Sequence, residues 1–183
     1  MKKIAIFLAT GFEETEAITT VNILRRAELD ALMISITGEL LVKGSHNISV
    51  QADKHLADID FDLIDMIVLP GGVPGYANLE ACELLMKQVD LFHAQKKPLA
   101  AICGAPKILG RRGILSGSMV CGFPGTEDKL IGATVVTEAA VWDGHLITGR
   151  AMGCSVDFAL AIVAYFKGFD AADKMAEKIV FKK

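Results

Sequence analysis

A mostly parallel β-sheet covered by helices on both faces is the α/β fold this sequence predicts, and three observations carry it. Short apolar runs alternate with stretches of helical periodicity along most of the chain. The runs are continuous rather than every second residue, as in strands buried on both sides. One insertion with its own turn interrupts the alternation.

The first run, "KIAIFLA", has Lys2 and Lys3 ahead of its apolar residues 4–9 and for a moment imitates a signal peptide. It is too short, and Glu13, Glu14 and Glu16 stand where a cleavage site would lie, so it reads as a strand. "EETEAITTVNILRRAE" places Ala17, Val21 and Leu24 on one helical face, and "ALMISI" is the second strand. Residues 39–53, "ELLVKGSHNISVQAD", set Gly44-Ser45 between two short β-like runs and predict a small hairpin insertion. "LIDMIVLP" is the third strand of the parallel set and opens into the loop "GGVPGYAN". Residues 79–95 then read as one helix. "PLAAI" is the strand that delivers Cys103, and "GAPKILGRR" is the helix after it. Further on, "SMVCGF" and "ATVVTEAAVWDGHLITG" are strand-like, with Asp143-Gly144 as a hairpin turn. "CSVDFALAIVAYFKG" is a helix that starts at Cys154 or Ser155 and stops at Gly168, and the tail "DAADKMAEKIV" packs on afterwards.

Composition narrows the function classes. A chain of 183 residues suits a single domain, 1–183, and its 52% apolar content is spread between charges with no run of membrane-span length. The net charge of −3 offers nothing to nucleic-acid phosphates or anionic membranes. The basic pairs Arg25-Arg26 and Arg111-Arg112 fall at helix ends, where cations suit the dipole. Cys82, Cys103, Cys121 and Cys154 lack paired spacing and are expected to be free thiols in the cytoplasm. There is no C-x-x-C, and neither a metal nor an organic cofactor is expected.

In such sheets ligands bind beyond the carboxyl ends of the strands, so the loops at 9–16, 70–78 and 103–106 are where chemistry belongs. A cysteine among apolar neighbours is more often inert packing. Cys103, however, stands where a strand turns sharply into a helix, with Ala101, Gly104 and Ala105 small enough to let the two approach. A helix N-terminus, free N–H groups and partial exposure would there favour a thiolate. The backbone N–H groups of Gly72 and Gly104 are candidates to stabilise a developing oxyanion. Of the acidic cluster Glu13, Glu14 and Glu16, one carboxyl turned toward Cys103 and partly desolvated would remain protonated and donate to the sulfur. The remaining carboxylates suit the helix dipole. His46, His55, His93 and His145 fall away from the strand ends and read as surface residues.

The stretches "GFEETEA", "RRA", "VLPGG", "AAICGAP", "FPGTEDKL", "ITGRAMG" and "FALAIV", in that order, resemble the ThiJ/PfpI superfamily over nearly the whole length. Within it the chain is most similar to the Parkinsonism-associated deglycase branch and its YajL-like bacterial relatives. The resemblance implies a flavodoxin-like sandwich that forms a homodimer. It implies Cys103 as the reactive, oxidation-prone cysteine, Glu16 as the carboxyl bonded to it, and Gly72 and Gly104 as backbone donors. Gly71, Phe123, Arg150, Ala151 and Gly153 are implied to border the pocket, and His46 stands near the dimer seam where relatives often carry arginine. Two imidazoles are missing. Relatives often have histidine at Phe123, and the protease arrangement has one at Gly104, which argues against a protease or classical triad; a thiamine-pathway role is the less favoured label the family also carries.

The activity implied is a cysteine-dependent protein deglycase or glyoxalase-like hydrolase. Its partners would be small dicarbonyls or glycated protein side chains. The alternative is an oxidative-stress sensor or redox-regulated chaperone working through oxidation of Cys103.

Overall fold

In the computed structural model, which describes residues 1–181, the first apolar run is β1 (Lys3–Leu8). Its side chains alternate between faces: Ile4, Ile6 and Leu8 enter one hydrophobic core, Ala5 and Phe7 the other. Both faces must therefore be covered. The covering helices are α1 (Glu14–Arg26) on one side and, on the other, α2 (Gly75–Ala81) and α3 (Glu83–Ala94).

β2 (Asp30–Ser35) pairs parallel with β1, and β3 (Leu41–Lys43) with β4 (Ser49–Gln51) forms the predicted antiparallel hairpin outside the main sheet. The main sheet continues with β5 (Lys54–His55), β6 (Met66–Leu69) and β7 (Leu99–Ile102), from which the chain turns into α4 (Pro106–Arg111). A two-residue parallel pair, β8 (Met119–Val120) with β9 (Thr134–Val135), precedes the Asp143-Gly144 hairpin of β10 (Ala140–Asp143) and β11 (Leu146–Gly149). Two helices, α5 (Ser155–Lys167) and α6 (Phe169–Lys178), complete the layer shared with α1.

The seven-stranded order is β10-β11-β7-β6-β1-β2-β5, with only β10 antiparallel. The chain leaves β1 toward β2 and later returns to β6 on its other side. That reversal opens a crevice beyond the carboxyl ends of β1, β6 and β7. The first turn of α1, which carries Glu16, and the loops that carry Gly71 and Cys103 all open into it.

One predicted element divides. The helix expected over 79–95 is two helices, broken at Cys82, whose ψ of 94° is extended. The first of them begins earlier, at Gly75. Apolar spacing runs through the break, so the sequence pattern conceals it. Among the described residues, no helix is long and apolar enough to cross a membrane.

Candidate functional site

Cys103 follows β7 with φ +63°, a left-handed conformation that costs a non-glycine residue energy and persists only where the surroundings enforce it. Its backbone N–H donates to Gly149 O at 2.9 Å and its carbonyl accepts from Phe123 N at 2.9 Å. The residue is thus pinned on both sides with its half-buried side chain above the sheet. This is the sharp strand-to-helix turn predicted from the small residues around it.

Glu16 comes up beneath the sulfur from the first turn of α1. Glu13 caps that helix, its Oε2 accepting from Glu16 N at 2.6 Å. The Glu16 side chain is fully buried. Its Oε2 accepts from Gly71 N at 2.7 Å, Oε1 has no hydrogen-bond partner of ordinary geometry, and the Cys103 thiol is a neighbour of the carboxyl. Gly71 must be glycine here, since a Cβ would stand 2.7 Å from Glu16 Oε2 and 2.9 Å from Cys103 Cβ. Gly72, at φ +95°, turns the chain so that Gly71 O accepts from Glu13 N at 2.9 Å and ties this loop to the start of α1.

Burial pushes the Glu16 carboxyl up to about 7, only partly offset by hydrogen bonds from Cys103 and Gly71. Burial also pushes the Cys103 thiol up to about 12, with the charge of the Glu16 carboxylate adding to the rise and the Gly104 N–H opposing it. Both directions run against the thiolate expected at this turn. The helix meant to stabilise it begins at Pro106, not Gly104, and has six residues, so its dipole is small against the desolvation. The pair instead holds a proton that two neighbouring atoms can share.

Above them lies an open cavity of about 870 Å³. Of the residues singled out from the sequence, Cys103, Glu16, Gly72, Gly104, Phe123, Ala151 and Gly153 line it. Gly71 lies just below, on Glu16. Arg150 is a correction: it is absent from the lining, and its guanidinium reaches Thr137 O at 3.5 Å, so the wall it was expected to form is made by Ala151, Met152 and Gly153. His46 is exposed, as expected of a surface residue, and it also lines the cavity. His93 and His145 meet at 3.1 Å at the opposite end of the sheet. Sequence reasoning missed Tyr76 and Lys107 altogether. Lys107 was legible in one respect, since it follows Cys103 by four residues, about one helical turn.

Ligand atoms of Glu13, Glu14 and His46 come within 4.8 Å of one another, the grouping among the described residues that comes nearest to a metal site. Glu14 is already engaged there. It accepts from His46 N at 2.7 Å, Ser45 Oγ at 3.2 Å and Ile48 N at 3.4 Å, and His46 Nδ1 lies 3.1 Å away. These bonds fasten the β3-β4 hairpin and leave little for a cation.

Residues 2–165 match the DJ-1/PfpI family. The chain belongs to that family. Among curated DJ-1/PfpI relatives, Protein DJ-1 homolog A of Arabidopsis thaliana is 33% identical over 184 residues, 99% of this chain and 47% of that protein. The chain spans about half the length of the two Arabidopsis relatives it matches, 47% and 42%. Protein dj-1beta of Drosophila melanogaster is 32% identical over 98% of this chain and 97% of that one. A protein of Pyrococcus abyssi named a deglycase is 31% identical over 82% of this chain and 91% of its own length. Among solved structures, a cysteine-to-alanine mutant of a DJ-1 superfamily protein from Salmonella typhimurium superposes with a TM-score of 0.93 at 34% identity, each chain covered in full. Oxidised DJ-1 of Toxoplasma gondii gives 0.94 at 25% identity, again with both chains fully covered.

Proposed function

We propose that the protein is a cysteine-dependent deglycase or glyoxalase-like hydrolase acting on 2-oxoaldehydes or on their early adducts with protein side chains. The observation that carries this reading is a fully buried Glu16 carboxyl beside the Cys103 thiol, with one oxygen, Oε1, left without a partner. A carboxyl near 7 is matched to proton transfer at neutral pH, and an oxygen with no partner can take the thiol proton as the sulfur attacks.

The steps balance without a cofactor. Sulfur adds to the aldehyde carbon as the thiol proton passes to Glu16, and that proton then reaches the oxygen, giving a hemithioacetal. Glu16 moves the proton on the former aldehyde carbon to the neighbouring ketone carbon by way of an enediol, leaving a thioester. Water cleaves the thioester, releasing a 2-hydroxy acid and restoring the thiol. The aldehyde carbon is oxidised and the ketone carbon reduced, so one water is the only addition. Gly72 and Gly104 N–H groups are assigned to the developing oxyanion. The test is 2-hydroxy acid formation from methylglyoxal and release of glycated peptide by wild type, Cys103→Ala and Glu16→Gln. Turnover undiminished in Cys103→Ala would end the assignment.

A second reading, oxidative sensing, has support in the same sulfur's partial exposure and in the oxidised form in which the Toxoplasma relative was solved. Two equivalents of peroxide would take the thiol through sulfenic to sulfinic acid, each releasing one water, with Glu16 donating to the product oxygen. Mass spectrometry after mild peroxide is its check: selective oxidation at Cys103 with altered client binding supports it, and indiscriminate oxidation of the four thiols contradicts it.

The homodimer belongs to this proposal as well. Ile18 is exposed on α1 and borders a groove lined by Val21, Met33 and Val50 together with Asn22, Arg25 and Arg26, a mixed face that a second copy would cover. The four free thiols suit a reducing cytoplasm.

A further inference from the structure

Lys107 is the one lysine or arginine that lines the cavity, among the described residues, and no carboxylate forms a salt bridge with it. Its ammonium instead sits over the Tyr76 ring, 3.9 Å from the centroid. Both side chains crowd the backbone that follows the reactive sulfur: Tyr76 Cδ1 and Lys107 Cε lie 3.1 and 3.7 Å from where a Cβ on Gly104 would be. The carboxylate that feels its charge, Asp128, is exposed and engaged by Lys129 at 2.7 Å. Two carboxyls share the cavity: Glu13 caps α1, and Glu16 is bonded to Gly71 through Oε2. A half-buried cation held by an aromatic face therefore stands in the cavity wall without a salt-bridge partner among the described residues.

The size of the cavity adds a second argument. About 870 Å³ is the room given to drug-sized ligands, far more than a three-carbon dicarbonyl fills. Methylglyoxal is also neutral, and on it Lys107 would have nothing to bind.

We propose that Lys107, set by Tyr76, is a specificity residue that selects 2-oxoaldehydes bearing a carboxylate beyond the reacting carbons. The oxoaldehyde end lies at Cys103 and the carboxylate at Lys107. A charge-assisted bond in a partly desolvated wall favours such substrates over neutral ones of the same reactivity. Tyr76 limits the rotamers of the lysine, so less freedom is lost on binding. The substrate class deepens the dicarbonyl reading above and rests on it. The anion site itself rests only on Lys107, Tyr76 and the cavity.

The experiment compares kcat/KM for 4,5-dioxopentanoate, which would yield 2-hydroxyglutarate, with kcat/KM for methylglyoxal, which would yield lactate. Wild type is expected to favour the carboxylated substrate about tenfold, mostly through KM. Lys107→Gln should bring the ratio to about one, and Lys107→Arg should restore it. A ratio that is the same in wild type and Lys107→Gln overturns the proposal. Calorimetric titration of 4-oxopentanoate and 2-pentanone into Cys103→Ala protein separates this proposal from the chemistry. Carboxylate-dependent binding that is lost on adding Lys107→Gln supports the anion site even if neither oxoaldehyde is turned over. Equal binding of the two compounds overturns the site even if both oxoaldehydes are consumed.

Discussion

Glu14 and Glu16 stand two residues apart in the first turn of α1, both buried, 3% and 0% exposed, and they have opposite chemistry. Burial pushes Glu14 up, but bonds from its own backbone and from His46 and Ile48 overcome that and leave the carboxyl below its usual range. Glu16 lies deeper, with more protein packed around it and a single backbone donor, Gly71, and ends near 7. The difference teaches that burial alone does not make a catalytic acid or base. The depth of burial and the number of donors left to the carboxylate decide it together. Glu14 is a structural clamp on the β3-β4 hairpin, and Glu16 is a proton carrier under a sulfur.

The comparison can be broken or sharpened by substitution, beginning with the largest effect. Cys103→Ala should abolish 2-hydroxy acid formation while circular dichroism and melting remain those of wild type. Persistent turnover would make Glu16 a buried carboxyl without a task. Glu14→Ala leaves the His46 and Ile48 N–H groups without their acceptor and should cost about 3 kcal/mol in denaturant unfolding. A loss under about 0.5 kcal/mol would remove the clamp from the account.

Glu16→Gln should lower kcat on the order of 100-fold, the usual scale of a lost general base. Wild-type activity should rise with pH through about 7, because the ionised carboxyl is the form that accepts the thiol proton, and the variant should lose that limb. A parallel pH profile in the variant would assign the limb elsewhere.

The smallest effect is on stability. The folded pKa of Glu16, about 7, stands above its ordinary 4.5, so the folded state holds more protons in that window and stability falls as pH rises from about 4.5 to 7. The loss is on the order of 2 kcal/mol and is complete above about 7. Urea unfolding at pH 5 and pH 8 should show it in wild type and not in Glu16→Gln. Equal slopes in the two proteins would contradict it.

How much of this the sequence disclosed follows from the range of the interactions. Strands β1, β6 and β7 were visible because continuous apolar runs reflect burial on two faces, and the Asp143-Gly144 turn because its backbone demands those residues. The turn at Cys103 was visible from Ala101, Gly104 and Ala105 alone. The split at Cys82 was hidden by periodicity that runs through it. The thiol's elevated pKa was hidden because dipole and donors can be read locally, whereas desolvation depends on everything packed around the sulfur. Glu14 looked like its neighbours since its partners lie more than thirty residues away, in a hairpin whose placement no local pattern specifies. Tyr76 and Lys107 come together from separate loops, and only the fold joins them.

The most direct measurement of the central claim is a carbon-13 NMR titration of the Glu16 side-chain carboxyl in the folded protein. The account predicts a midpoint near 7, remaining at or above that value in Cys103→Ala, where the burial persists and the thiol's hydrogen bond is gone. A midpoint near the ordinary 4.5 would mean that Glu16 is a solvated or fully compensated carboxylate and carries no proton for the sulfur.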